Sequence, residues 1–275
     1  MIDQKSEIVV AFEKYKTIIF NVDVDLNFWT GFVSTSIVNF QQRTDIGDEI
    51  YEAGFAVYDW DIPMAAGYLK MNPLTRMIRK SELDQQRLNF FAWIRNLAVL
   101  KSYNALELLL IDALWIIYFP AEKAPSSSKK AADNIQNKIK EQLSLFGLPI
   151  DSKNNRHLIE FLKHKVPDYS RYLNSPLNID LTTTWGNYFE MISVLRNIIA
   201  HQGTIINTDT LNEIKSKAKD IFQRHFKVVK DDFNDNHLQP KEIAFSHFVS
   251  IINTFALNTI KFASGEVDFG FLNMQ

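Results

Sequence analysis

The sequence predicts an all-α protein, on three observations. Only 9 Gly and 8 Pro occur in 275 residues. β-branched residues are not gathered into short alternating runs. Apolar side chains recur three and four positions apart through long stretches, the pattern of one face of a helix. Hydrophobic residues make up 46% of the chain and aromatics 13%, enough to fill one large domain or two modest ones. There is no cysteine, so disulfides and thiolate chemistry are excluded, and a zinc site would have to use histidine and carboxylates.

Residues 5–20 place Ile8, Phe12, Tyr15 and Ile19 at helical spacing and predict the first helix. Residues 26–40 are apolar but rich in Thr, Ser and Val, so helix and strand compete there, and helix is the reading taken. Residues 44–75 have no clear period. Gly47, Gly54, Gly67, Pro63 and Pro73 interrupt Tyr51, Phe55, Tyr58 and Trp60, which predicts a packed irregular segment with short helices. From Ser81 to Phe119 nothing breaks helical continuity, and Phe90, Ile94, Leu97, Tyr103, Leu106, Leu110, Leu114 and Ile117 keep its period until Pro120. Unbroken, that helix would be about 58 Å long, so a kink or break near 86–95 is expected. The polar stretch AEKAPSSSKKAADN follows and predicts a mobile linker over about 121–130.

Further helices are expected at about 130–146, closed by Gly147 and Pro149, and at 153–166, ended by Pro167. A helix at 182–202 comes next. Thr210 and Glu213 then read as a capping box opening a helix to about 230, with Leu211, Ile214, Ala218, Ile221 and His225 inward. A last helix spans about 240–263. The expected organisation is therefore a helical bundle over 86–265, with residues 1–85 as a helical N-terminal extension packed on it, and no internal repeat.

The opening MIDQKSEIVV has no secretory pattern. No stretch reaches the ~18 apolar residues of a membrane span, since Glu107 and Asp112 interrupt the best candidate, 105–119. A soluble cytoplasmic protein without membrane contact is the expectation. With 30 basic and 32 acidic side chains the formal charge is −2, so no global field attracts nucleic acid and any RNA contact must be local.

The chemistry concentrates in one helix. Trp185, Tyr188, Phe189, Met191, Ile192, Leu195, Ile198 and Ile199 make it apolar on most sides, yet it carries Arg196, Asn197 and His201. Asn197 and His201 are four apart and share a face, and the long side chain of Arg196 reaches toward them. Gly203, two residues after His201, suits a left-handed helix cap. Histidine can both take and give a proton near neutrality.

This stretch, Arg196-Asn197-Ile198-Ile199-Ala200-His201 with Gly203 behind it, resembles the Arg-x4-6-His signature of the HEPN superfamily. The resemblance covers about 86–265. It implies a HEPN-like helical bundle and a metal-independent endoribonuclease of toxin, abortive-infection or other defence type, needing no cofactor. The attack of a ribose 2′-OH on its own phosphodiester would use His201 for proton transfer, Arg196 for the charge on the phosphorane, and Asn197 and Glu107 for orientation. The competing reading is a non-catalytic helical module in which the same residues form a polar network at a dimer or partner interface. A third is a protein paired with a nucleotidyltransferase or an antitoxin-like partner.

Glu107, in the apolar run 102–119, either points to solvent or, with Asn104, aims at the space around Arg196. Arg95 and Asn96 repeat the Arg-Asn pair without a histidine after them, so there is no second motif. A chain with one motif histidine would need a second copy to bring another, and the apolar girth of the motif helix calls for an additional packing surface, so a homodimer through that helix is expected. His157, Glu160 and His164 fall on one helical face and are read as solvated surface rather than as a metal site. His225 and His247 are read as packed histidines and His237 as a loop residue. Lys215, Lys219, Lys227 and Lys230 lie along one stripe of the helix expected at 210–230, either plain solvated surface or a track for a phosphate backbone. No phosphate-loop, dinucleotide, serine-hydrolase or zincin motif occurs.

Overall fold

Thirty-nine residues without a proline form the first helix, α1 (Gln4–Gln42). A computed structural model describes residues 4–58, 69–150, 155–178, 181–231 and 233–265. They are mostly helical, in the order α1, β1 (Glu49–Tyr58), β2 (Leu69–Arg79), α2 (Leu83–Tyr118), α3 (Lys129–Leu145), α4 (Arg156–Lys165), α5 (Pro167–Asn174), α6 (Trp185–His201), α7 (Thr208–His225), β3 (Phe226–Lys230), β4 (Asn236–Pro240) and α8 (Phe245–Ser264). No helix among them is long and apolar enough to cross a membrane. The chain divides into two compact units, Met1–Leu26 with Ile94–Gln275, and Asn27–Trp93, so the division falls within α1 and α2.

The first unit holds the main core. Ile8, Phe12, Tyr15, Ile19, Val22 and Leu26 form one buried stripe at alternating three- and four-residue steps. The stripe continues past residue 20, and no proline interrupts it, which is why one helix stands where two were expected. Motif helix α6 lies deep in this core. Tyr188, Ile192 and Leu195 are fully buried, Phe189 stacks on Phe255 of α8 at 5.3 Å, and Trp185 stacks on Tyr172 of α5 at 5.4 Å. The apolar girth of α6 is thus covered within the chain, which removes that ground for expecting a partner surface. Two buried tyrosine hydroxyls are matched, as a dry interior favours: Tyr188 donates to the carbonyl of Phe248 at 3.2 Å, and Tyr169 bonds to Thr259 at 3.0 Å.

Several elements differ from expectation. α2 runs 36 residues, about 54 Å, without a break at 86–95, because every turn from Phe91 on finds apolar neighbours. The segment expected as a linker holds a short 3-10 turn at Pro125–Ser127 with Pro125 buried, and Ser128 caps α3 through the N–H of Ala131 at 3.1 Å. Pro167 does not merely end α4. It opens α5 from the first helical position, where its missing N–H costs nothing. α7 is capped by Asn207, whose side chain accepts from the N–H of Thr210 at 2.8 Å, so the expected Thr210–Glu213 box is one turn late.

Two hairpins replace expected irregular or helical segments. In the second unit β1 and β2 pair antiparallel, with a register shift between Gly54 and Ala56, opposite Pro73. Glycine and proline there mark a bulge, where a ladder N–H can be spared, and not gaps between short helices. Trp60, Pro63 and Gly67 lie outside the described residues. In the first unit, α7 stops at His225 and the chain turns into β3, paired with β4 from Phe226–Pro240 to Lys230–Asn236. Val228 and Val229 are β-branched and fit a strand, and Asn234 takes φ +67° in the turn. His237 is therefore a strand residue.

His225 is buried, as expected. Its Nδ1 lies 2.8 Å from the carbonyl oxygen of Ala244 and its ring stacks on the exposed His247 at 5.2 Å. Burial lowers its pKa to about 4, with His247, Arg224 and Lys241 adding repulsion and the Ala244 carbonyl opposing. The folded value lies below the ordinary 6.5, so this contribution is complete above pH 6.5 and is lost as pH falls toward 4. Urea midpoints measured from pH 7 to 4 should fall by the equivalent of roughly 2 kcal/mol, after allowing for solvent screening. His225→Asn, which keeps the donor to Ala244 but does not titrate, should flatten the profile.

Candidate functional site

Thr184 opens α6 by accepting the N–H of Asn187 at 3.2 Å, and Asp220 of α7 ties down the segment leading into it by accepting from the N–H groups of Thr182 and Thr183. Burial alone would raise the Asp220 carboxyl. The hydroxyl of Thr183 and the N–H groups of Ile221, Thr182 and Thr183 outweigh it and hold the pKa at about 2. α6 ends where the sequence indicates: His201 is its last residue, Gln202 the cap, and Gly203 adopts φ +57°, the left-handed conformation glycine takes without steric cost.

Arg196 is the best-held polar group of the helix. Its Nη1 donates to Oδ1 of Asn197 at 2.9 Å, its Nε to Oδ1 of Asn104 at 3.4 Å, and its Nη2 lies 3.8 Å from Oε2 of Glu107. The guanidinium also sits 5.9 Å over the ring of Tyr103, a cation–π contact. Tyr103 is buried and fixed in turn by Ser193, at 2.9 Å, and Asn155, at 3.3 Å. Glu107 therefore faces Arg196 and is not simply a solvated residue. The Arg196 side chain stays 28% exposed and Glu107 21%, so both remain open to a ligand. Tyr103 was not anticipated, although it stands four residues before Glu107 and shares its helical face.

His201 is exposed and its side chain makes no hydrogen bond or ion pair among the described residues. It lies one turn beyond Asn197 on the same face. The residues just past it are tied to the β3–β4 hairpin: Ile205 bridges His237, the N–H of Ile206 donates to Asn236 at 2.8 Å, and that of Leu238 to Thr204 at 2.9 Å. Arg95 and Asn96, by contrast, are buried. Arg95 pairs with Glu242 at 3.2 Å and Asn96 donates to the carbonyl of Leu238 at 3.3 Å, so Asn96 braces β4 and Arg95 holds the chain just beyond it.

The four lysines do not form one stripe. Lys215 and Lys219 are on α7, while Lys227 and Lys230 are on β3, three residues apart and so on opposite faces of the strand. Lys230 is bonded to Asn234 at 2.6 Å. Nor do His157, Glu160 and His164 form one solvated face: His157 is buried, Glu160 pairs with Lys163 at 2.8 Å, and His164 packs on Phe146 with ring centres 4.2 Å apart. No group of three or more metal-ligating side chains occurs among the described residues.

No protein-family model, curated protein or solved structure matches the chain.

Proposed function

We propose that the chain is a HEPN-type, metal-independent endoribonuclease of a toxin or defence system, with RNA as substrate and an antitoxin-like protein as partner. The observation that carries the reading is the contrast between Arg196 and His201 on one helix. The guanidinium is locked by Asn104, Asn197, Glu107 and Tyr103 yet open at its edge, while the imidazole is exposed and has no bonded partner among the described residues. A preorganised cation is worth most where negative charge develops, here on the equatorial oxygens of a phosphorane. An uncommitted imidazole can exchange a proton with a reacting oxygen. In the step itself the ribose 2′-oxygen bonds to phosphorus, the bond to the 5′-oxygen breaks, and protons leave the first oxygen and reach the second. The products are a 2′,3′-cyclic phosphate and a 5′-OH. Asn197 and Glu107 keep the guanidinium in place.

Incubating the protein with mixed RNA in excess chelator tests this: new 5′-OH and cyclic-phosphate ends are expected. Intact RNA, or cleavage that disappears with EDTA, overturns it. The completeness with which Arg196 is already satisfied favours the second reading, a non-catalytic module. RNA or partner binding without cleavage would select that one. Glu107→Gln keeps shape and removes one charge, so under the catalytic reading the rate should change by no more than about tenfold, the usual scale of one partly exposed ion pair.

A further inference from the structure

Cleavage by the route proposed above needs two proton carriers, one at the 2′-oxygen and one at the 5′-oxygen, and the motif supplies only His201. We infer that His237 is the second carrier, contributed by the same chain. It lies far from the motif in sequence, but the hairpin returns it to the residues that immediately follow α6. Ile205 bridges His237, and the N–H of Ile205 bonds to the carbonyl of Gln202 at 3.0 Å, so the intervening chain is folded on itself. The four residues from His201 to Ile205 span at most about 14 Å and the bridge to His237 adds about 5 Å, so the two histidine backbones lie within about 19 Å of each other.

The surroundings of His237 form a line of hydroxyl, imidazole and carboxylate. Nε2 lies 3.1 Å from Oδ2 of Asp231, and Nδ1 lies 3.1 Å from Oγ1 of Thr204. Asp231 is kept ionised by the N–H groups of Asp235, at 2.8 Å, and Phe233, at 3.0 Å, on its other oxygen. An ionised carboxylate only accepts, so Nε2 carries the proton and Nδ1 is the atom that takes or gives one. A carboxylate fixing the tautomer of an imidazole, with the other nitrogen on a hydroxyl, is the arrangement of acid–base histidines. Thr204 is held at φ +77°, a costly conformation for a β-branched residue and one that clusters at functional sites. His237 is 27% exposed and Asp231 33%, so a substrate oxygen can reach Nδ1 by displacing the Thr204 hydroxyl. In the step, one of the two histidines receives the 2′-OH proton and the other, protonated, delivers its own to the 5′-oxygen. Asp231 acts through His237 and is a positioning residue.

The inference rests on the ribonuclease reading, and its test separates the two. His237→Gln keeps a donor for Asp231 but cannot titrate; His237→Gly leaves space for free imidazole. Both are expected to cleave RNA about 10² to 10⁴ more slowly than the unaltered protein, mainly in kcat, and added imidazole should raise the rate of the glycine variant but not of the glutamine one. Should the glycine variant fail to fold, the glutamine variant decides alone. A glutamine variant at the unaltered rate, or a folded glycine variant indifferent to imidazole, overturns the role of His237 while leaving the ribonuclease reading intact, and the second carrier then comes from a second copy of the chain. An unaltered protein that never cleaves RNA overturns both.

Discussion

His201→Ala is expected to lower the rate of RNA cleavage by about 10² to 10⁴, the range of a lost general acid or base and equivalent to roughly 2.7–5.4 kcal/mol of barrier. The protein itself should be almost unaffected. His201 is exposed, ends its helix, and has no bonded partner among the described residues. Truncating it leaves no cavity and no orphaned polar group, and such surface changes stay within about 0.5 kcal/mol. The helix cap lies beyond it, on Gln202 and Gly203, and is kept. The discriminating measurement is a pair: cleavage rate and thermal midpoint of the same sample. A large drop in rate at an unchanged midpoint is the expected result. Undiminished cleavage by the variant would remove His201 from the mechanism.

Arg196→Ala should cost about 10² to 10³ in rate, the scale of removing one preorganised donor from a developing oxyanion. Unlike the histidine change it should also cost some stability. Glu107 and Asn104 on α2, and the face of Tyr103, would lose the group that satisfies them, and half-buried polar atoms left unpaired are destabilising by about 1–3 kcal/mol each way they cannot be rehydrated. Arg196→Lys sharpens the experiment. Lysine keeps the charge but cannot serve Asn104, Asn197 and Glu107 at once from a planar fork, so it should restore stability more than activity. If lysine restores full cleavage, charge alone is what the site requires and the three-way hold on the guanidinium is incidental. A rate unaffected by either change would favour the non-catalytic module.

A homodimer through α6 remains a separate expectation. Sedimentation at micromolar concentration checks the assembly, and mixing Arg196→Ala chains with His201→Ala chains checks whether sites are shared. Recovery of cleavage on mixing would show sites built across two copies; no recovery, with a monomer that cleaves, accords with His237 completing the site in cis.

How much of this was legible in the sequence depends on the range of the interactions involved. The helical character of the chain, the end of α6 at His201, the left-handed Gly203 behind it and the burial of Trp185, Tyr188, Phe189, Ile192 and Leu195 could be read directly. Each follows from neighbours within four residues, where the helical period and cap chemistry act. Even Glu107 could be nominated, because a carboxylate inside an apolar run needs a partner. That its partner was Arg196, 3.8 Å away and on another helix, was decided by the packing of α2 against α6. The hairpins were beyond local reading. β1 with β2 and β3 with β4 are held by cross-strand hydrogen bonds whose register no helical or alternating period announces, and Gly54, Pro73, Val228 and Val229 acquire their meaning only once the strands pair. For the same reason His237 read as a loop histidine. Sequence alone supplied its imidazole. Its place beside Thr204, three residues past the motif histidine, was decided only when β4 laid its backbone along the chain leaving α6.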